Sequence, residues 1–352
     1  MTRAAWMLGL LSLLWPTPAA SAGERPWERI NRRLCGRVVD HTNHHGADRR
    51  MWAASLGRPN NLYVYLPPGF DPGRPYPLVI WLHGYAEDER SAPKHVFPEF
   101  DKEIVCGRMP PTIVAAPSGR IPGWLFGSLF LNTHVGCYED LVVCDVWHFL
   151  QKHYPIHPDR RRRAIVGLSS GGWAAYVIGL KHPDKFGIIA GILPTLNPRF
   201  VDCHGVYFRR DFDPCCWGLR PTLDRNQLLG IYYGLPITLK RMVRPFFGWG
   251  PEGLARLSAN NPIELLDRCG VQPGMFALHV SYIHDDQLNA DAQIESFLYV
   301  ARHRGINVDV HYRPRGGAHT VGTGLQLLPA TLHWLGPRLR DGVVECPALA
   351  FP

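Results

Sequence analysis

Long apolar runs are nearly absent from this 352-residue chain, and the longest lies at its very start. Ala4 to Trp15 supplies about a dozen apolar residues, against the ~20 that a membrane-crossing helix requires. Stable membrane insertion is therefore not expected. No internal repeat and no low-complexity tract is present, which excludes a repeat array or a compositionally biased, unfolded chain. Charge is also sparse: 19% of residues are charged and 46% are apolar, the balance of an ordinary globular protein. The net charge of +8 is spread out, apart from Arg160 to Arg163. That run lacks interleaved aromatics and any nucleic-acid-binding motif, so nucleic acid is not an expected partner and a solvated strand entrance is the better reading.

What is present begins with an address. Met1 to Arg3 is a short basic start, the apolar stretch follows, and Ala20-Ser21-Ala22 offers the small residues a signal peptidase reads. Residues 1–22 are expected to be a signal peptide cut after Ala22, which makes the mature protein secreted or periplasmic. Nine cysteines all lie beyond that point, where disulfides form, and the odd number leaves at least one thiol over. Cys203-His204 with Cys215-Cys216 can be drawn as a zinc site, but the spacing matches no zinc pattern, and a disulfide or buried thiol needs no metal. His41-Thr-Asn-His-His45 reads as a polar loop. No metal is expected.

Residues 23–50 are polar, basic and irregular and read as an N-terminal extension. From Met51 the pattern changes. Leu62-Tyr-Val-Tyr-Leu66, Leu78-Val-Ile-Trp-Leu82, Thr112 to Ala116, Arg163 to Val166, Gly187 to Leu193, Phe276 to Tyr282 and Asn307 to Tyr312 are short apolar or β-branched runs ended by proline, glycine or polar loops. Between them, Glu139 to His153, Gly171 onward, Asn289 to Arg304 and Gln326 to Leu335 carry helical spacing. Strands that are apolar throughout and alternate with helices predict an α/β fold: a mostly parallel sheet covered on both faces, in one domain over 51–340 with a tail at 341–352. Residues 197–261 break the rhythm with prolines and many aromatics. They read as an insertion near the carboxyl ends of the strands, a cap over a ligand pocket, or a packed structural excursion.

The chemistry is concentrated in Gly167-Leu168-Ser169-Ser170-Gly171, a G-x-S-x-G pattern between a strand and a helix. A serine on so tight a turn needs very small neighbours, and Gly167 and Gly171 supply them. The turn lifts the Ser169 hydroxyl above the sheet, at a helix N-terminus that favours developing negative charge. A serine hydroxyl is a poor nucleophile, so a base must take its proton and a carboxylate must orient that base. Both are available downstream, each in a loop after a strand: Ile283-His-Asp-Asp-Gln-Leu288, then Arg313 to Thr320 with His319 behind glycines. Asp286 is preferred as the acid, because it lies immediately before the next helix; Asp285 is the alternative. The oxyanion requires two N–H donors: Ser170, next after the nucleophile, and Tyr85, in the loop after Leu78 to Leu82 where Gly84 lets the backbone approach. His83 reads as a structural hydrogen-bonder.

Val64-Tyr-Leu-Pro-Pro-Gly-Phe70, Tyr76-Pro-Leu-Val-Ile-Trp-Leu-His-Gly84, Gly136-Cys-Tyr-Glu-Asp140, Gly167-Leu-Ser-Ser-Gly-Gly172 and Gly317-Ala-His319 occur in this order between Ser55 and Leu335. Taken together they resemble the α/β-hydrolase esterases that include esterase D (S-formylglutathione hydrolase), feruloyl and acetyl-xylan esterases and the mycolyltransferases. The resemblance implies an α/β-hydrolase fold, Ser169 as nucleophile, His319 as base and Tyr85 as oxyanion donor. In the family's G-x-x-D acid loop Ile283 stands in the glycine place, which puts the acid at Asp286. Cys137 stands where the family often has a basic or polar residue. The implied activity is an exported serine carboxylic-ester hydrolase without metal or organic cofactor, acting on a small-molecule or carbohydrate ester, with feruloyl-type esters among them. Acyl transfer by the same triad is the nearest alternative. A non-catalytic binding module on this fold predicts a missing triad member, whereas all three positions are filled. Nothing in the sequence sets the oligomeric state.

Overall fold

Leu62–Leu66, Leu78–Leu82, Ile113–Pro117, Arg163–Leu168 and Ile188–Ile192 are buried at every position. Strands buried on both faces belong at the centre of a covered sheet. A computed structural model describes residues 26–124, 126–207, 212–223, 226–232, 235–313 and 318–341, and it assembles these strands into one eight-stranded sheet. The strands are named in chain order: β1 (Arg37–His41), β2 (Leu62–Leu66), β3 (Leu78–Leu82), β4 (Ile113–Pro117), β5 (Arg163–Leu168), β6 (Ile188–Ile192), β7 (Ala277–Ile283) and β8 (Asp309–Arg313). Their order across the sheet is β1-β2-β4-β3-β5-β6-β7-β8. β2 runs antiparallel to β1 and β4, and every pair from β4 onward is parallel. The loops that follow β3, β5, β7 and β8 therefore open on the same edge of the sheet, where α/β proteins bind their ligands.

The main helices are α1 (Phe97–Val105), α2 (Trp147–His153), α3 (Ser170–Lys181), α4 (Ala290–His303) and α5 (Val321–Asp341). α3 is buried on all sides from Ser170 to Leu180, which explains its uniformly apolar sequence. The helix expected over 139–153 is present as three consecutive helical pieces, Tyr138–Asp140, Leu141–Val146 and Trp147–His153, with a wide turn in the middle.

One expectation needs correction. The segment read as an irregular extension, 23–50, contributes β1 to the sheet edge. Side-chain chemistry distant in sequence seats it: the Asp101 carboxylate accepts the Cys35 N–H (3.0 Å), the Gly36 N–H (2.7 Å) and the Tyr65 hydroxyl (2.8 Å). A Cβ on Gly36 would stand 2.4 Å from the Leu66 carbonyl oxygen, so only glycine lets the strand enter here. The signal-peptide expectation at 1–22 lies outside the described residues, as does the tail beyond Asp341.

The insertion at 197–261 is built from two hairpins, Phe200–Asp202 with Trp217–Leu219 and Leu228–Tyr232 with Leu235–Thr238, followed by short helices. A Cys203–Cys216 disulfide closes the first hairpin. Trp173 of α3 donates its indole N–H to the Asn260 carbonyl (2.7 Å) and packs on Phe247, which fixes the insertion to the nucleophile helix. Among the described residues no helix is long and apolar enough to cross a membrane.

Candidate active site

Between β5 and α3 the backbone of Ser169 is held at φ 55° and ψ −116°, a conformation costly for any residue with a side chain. Glycine packing enforces it. A Cβ on Gly167 would fall 2.3 Å from the Gly171 carbonyl, and one on Gly171 would fall 2.1 Å from the Leu82 carbonyl oxygen. The Ser169 N–H donates to the Ile192 carbonyl of β6 (2.8 Å), which ties the turn to the neighbouring strand. The far end of α3 is tied as well: Glu139, from the Gly136 to Asp140 motif, meets Lys181 at 2.9 Å and His182 at 3.2 Å.

The Ser169 hydroxyl lies 2.7 Å from His319 Nε2, and His319 Nδ1 lies 2.7 Å from Asp286 Oδ2. His319 and Asp286 are buried. An ionised carboxylate can only accept, so Nδ1 carries the ring proton and Nε2 presents its lone pair to the serine O–H. Asp286 is itself oriented: its Oδ1 accepts the Leu288 N–H (2.8 Å) and its carbonyl accepts the Asn289 N–H (2.8 Å). Asp285, the alternative acid, has φ 56° and an exposed side chain facing His284 at 3.9 Å. The two adjacent aspartates thus separate into one carboxyl turned inward to His319 and one turned out.

The loop after β3 approaches the serine closely. A Cβ on Gly84 would stand 3.8 Å from the Ser169 Cβ. The Gly84 N–H is already taken by the Glu87 carboxylate at 2.9 Å, whereas the Tyr85 N–H has no acceptor among the described residues. The Ser170 N–H, on the first turn of α3, has no acceptor within its helix. Tyr85 is further fixed by its carbonyl, which accepts the Gly127 N–H (2.9 Å), and by its ring, stacked on Phe126 at 4.6 Å and edge-on to Phe246 at 6.0 Å. Burial pushes the Tyr85 phenol up to about 12, so it stays neutral across the physiological range. His83 is buried, accepts the Gly119 N–H at Nε2 (2.9 Å) and faces the Gly84 carbonyl with Nδ1 (2.9 Å). With both nitrogens spent on backbone, it braces the loop.

One residue beside this set has no forewarning in the sequence. Asp291, two residues into α4, accepts the Asp286 N–H on Oδ2 at 3.3 Å. Burial, and then the charge of Asp286, push its carboxyl up to about 7. The Cys203, His204 and Cys216 side chains do converge, but the disulfide consumes both sulfurs, and no other ligand group joins His204 among the described residues.

Comparison with known proteins follows the same line. A family model described as "Putative esterase" matches residues 53–321. An endo-1,4-beta-xylanase/feruloyl esterase of Xylanibacter ruminicola is 30% identical over 144 residues, 39% of this chain and 20% of that protein. An esterase of Mycobacterium tuberculosis is 24% identical over 243 residues, 66% of this chain and 45% of its own length. The chain thus spans less than half the length of these curated relatives. Among solved structures, a ferulic acid esterase superposes with a TM-score of 0.62 at 18% identity, covering 87% of this chain and 99% of that one. An S-formylglutathione hydrolase from Agrobacterium tumefaciens gives 0.59 at 14% identity, with 87% and 96% covered. At such identities the likeness speaks for the fold, which is the α/β-hydrolase fold.

Proposed function

The chain belongs to the esterase family whose model covers residues 53–321, and we propose that it is a carboxylic ester hydrolase with Ser169, His319 and Asp286 as its catalytic triad. The supporting observation is the unbroken hydrogen-bond relay from the Ser169 hydroxyl through His319 to Asp286, with both links at 2.7 Å. In the first half-reaction Ser169 Oγ attacks the ester carbonyl carbon while its proton passes to His319 Nε2. The carbonyl oxygen becomes an oxyanion held by the Ser170 and Tyr85 N–H groups. The intermediate collapses, the carbon–alkoxide bond breaks, and the imidazolium returns its proton to the departing alcohol. Water then attacks the acyl-enzyme with His319 as base, and the carboxylic acid leaves as Ser169 regains its proton. Asp286 keeps the Nδ1 proton in place and offsets the imidazolium charge throughout.

The substrate we propose is an acyl ester of a carbohydrate or a feruloyl-type ester. The xylanase/feruloyl esterase relative supports this class, as do the stacked Tyr85 and Phe126 rings beside the oxyanion loop, backed by the buried Phe246, with the exposed Trp124 at the rim. Export after cleavage behind Ala22 is proposed with it, since the Cys203–Cys216 disulfide suits an oxidising compartment. The catalytic domain, expected over 51–340, is proposed to begin by Arg37 so that it includes β1 as its edge strand.

A fluorophosphonate probe tests the mechanism. Wild type is expected to be labelled at Ser169 and Ser169→Ala to be blank, with hydrolysis of p-nitrophenyl acetate falling by about 10⁴-fold or more. An unlabelled wild type, or equal labelling of the variant, overturns the assignment. A panel of p-nitrophenyl, feruloyl and acetylated-sugar esters then ranks the substrates. Added sugar alcohols separate hydrolysis from acyl transfer by the product formed.

A further inference from the structure

We propose that Asp291 is a positioning residue for the triad acid, holding the Asp286 backbone from below and lending its charge to the imidazolium form of His319. The inference rests on the triad assignment above. Asp291 is 2% exposed, and each of its carboxyl oxygens is committed: Oδ2 to the Asp286 N–H at 3.3 Å, Oδ1 to the Ala292 N–H at 3.0 Å. The short loop from Asp286 to Asn289, whose own φ is 57°, therefore has its first peptide pinned to the helix that follows it. Any displacement of Asp291 moves the Asp286 backbone, and with it the carboxylate on which His319 is set.

The groups around Asp291 explain why its charge matters. Asp286 faces it from the acid loop, Glu295 from the next turn of α4, Tyr207 from the insertion and Tyr282 from β7. Arg220 lies over the Tyr207 ring at 5.5 Å. Among the described residues no Lys, Arg or His forms an ion pair with Asp291. A carboxyl on the first turn of a helix is ordinarily stabilised as the anion by the backbone dipole. Here burial, and then the Asp286 charge, outweigh that and push the carboxyl up to about 7. Protonated, it leaves Asp286 as the one negative charge behind the imidazole. Ionised, it adds a second, and the imidazolium formed in both half-reactions is favoured. An amide oxygen can still accept the Asp286 N–H without charge, while its NH2 gives up the bond from the Ala292 N–H, so Asp291→Asn keeps the anchor on Asp286 and removes the charge.

The test compares Asp291→Asn and Asp291→Ala with wild type in p-nitrophenyl acetate hydrolysis from pH 5 to 9, with circular dichroism to verify folding. For Asp291→Asn the expected result is a kcat within about 10-fold of wild type, an unchanged KM and an acidic limb of kcat/KM moved by about half a pH unit or more to lower pH. For Asp291→Ala a further fall in kcat of about 10-fold is expected, because the anchor on the Asp286 peptide is gone. A limb for Asp291→Asn that superimposes on wild type, or a wild-type kcat for Asp291→Ala, overturns the proposal. Ser169→Ala run alongside keeps the two questions apart. If that variant retains activity, the triad assignment itself fails; if it is inactive while Asp291→Asn leaves the limb unmoved, only the present inference does.

Discussion

The strained serine is maintained by atoms that are missing. Gly171 lies against the Leu82 and His83 carbonyls, so a methyl group there would meet backbone oxygen at 2.1 and 2.5 Å. Backbone of a central strand cannot yield as a side-chain tip can, and overpacking of this kind costs about 1–3 kcal/mol or more. Gly171→Ala is expected to lower the melting temperature by several degrees and to cut kcat sharply, measured by thermal unfolding and ester hydrolysis on the same sample. A variant with unchanged melting and turnover would mean that the turn is not held by this contact. This constraint is local, written in consecutive residues, and for that reason legible in the sequence. The proposed acid was harder to read. Asp285 and Asp286 are chemically identical and adjacent, and what separates them is the fold: Asp285, at φ 56°, has its side chain exposed beside His284, while Asp286 is buried against His319. Asp291 was not legible at all. In sequence it is an ordinary acidic residue at a helix start, and its character arises from burial among Asp286, Tyr207 and Tyr282, brought there by the fold.

At the scale of elements, the insertion does something its composition did not announce. Its aromatics suggested a cap over the ligand, and Phe246 does reach the Tyr85 ring. Yet it also makes polar contacts with the acid loop and the start of α4: the Tyr207 carbonyl accepts from Asn289 Nδ2 at 2.6 Å, the Tyr207 hydroxyl accepts from Gln293 Nε2 at 2.7 Å, and the Ile231 N–H donates to the Gln287 carbonyl at 3.1 Å. Gly230 makes the last of these feasible, since a Cβ there would lie 2.1 Å from the Gln287 oxygen. Gly230→Ala is therefore expected to push residues 286–289 away and to lower kcat by about 10-fold with a smaller change in KM. Gly218→Ala, in the disulfide-closed hairpin with open space around its Cβ, is expected to leave both constants unchanged. Equal kinetics for the two variants would show that the hairpin does not bear on the acid. Elements with strong periodicity were foreseeable, including the seven strand runs from Leu62 to Tyr312 and the helix over 139–153. The helical stretch formed by Ala92–Val96 and Phe97–Val105 was not, because Pro93 and Pro98 punctuate it; each stands in a first turn, where the missing N–H costs nothing. The final helix likewise continues through Pro329 and Pro337 beyond the span its periodicity marks.

For the whole molecule, two buried carboxyls give the pH dependence of stability opposite slopes. Glu89 is set between the N-terminal segment and the domain, taking His44 Nε2 at 2.7 Å and Asn61 Nδ2 at 2.8 Å. Burial alone would raise it, but hydrogen bonds from His44 and Ser118 prevail and hold it at about 2. Its folded value is below the unfolded one, so the stabilisation is present above about pH 4.5 and is lost as pH falls toward 2. Asp291, at about 7, has a folded value above the unfolded one. The folded state holds its proton longer, so this group's contribution declines as pH rises from about 4 to 7 and is constant above. The two substitutions must then differ in sign. Glu89→Gln is expected to destabilise by about 1–3 kcal/mol at pH 7, with the gap to wild type closing toward pH 2. Asp291→Asn is expected to match wild type near pH 4 and to exceed its stability by about 1–3 kcal/mol at pH 8, because the amide removes an unfavourable buried charge. Urea unfolding at four pH values between 3 and 8 measures both. If Asp291→Asn were instead less stable than wild type at pH 8, ionised Asp291 would have to be satisfied by a cation, and its burial beside Asp286 would carry no electrostatic cost.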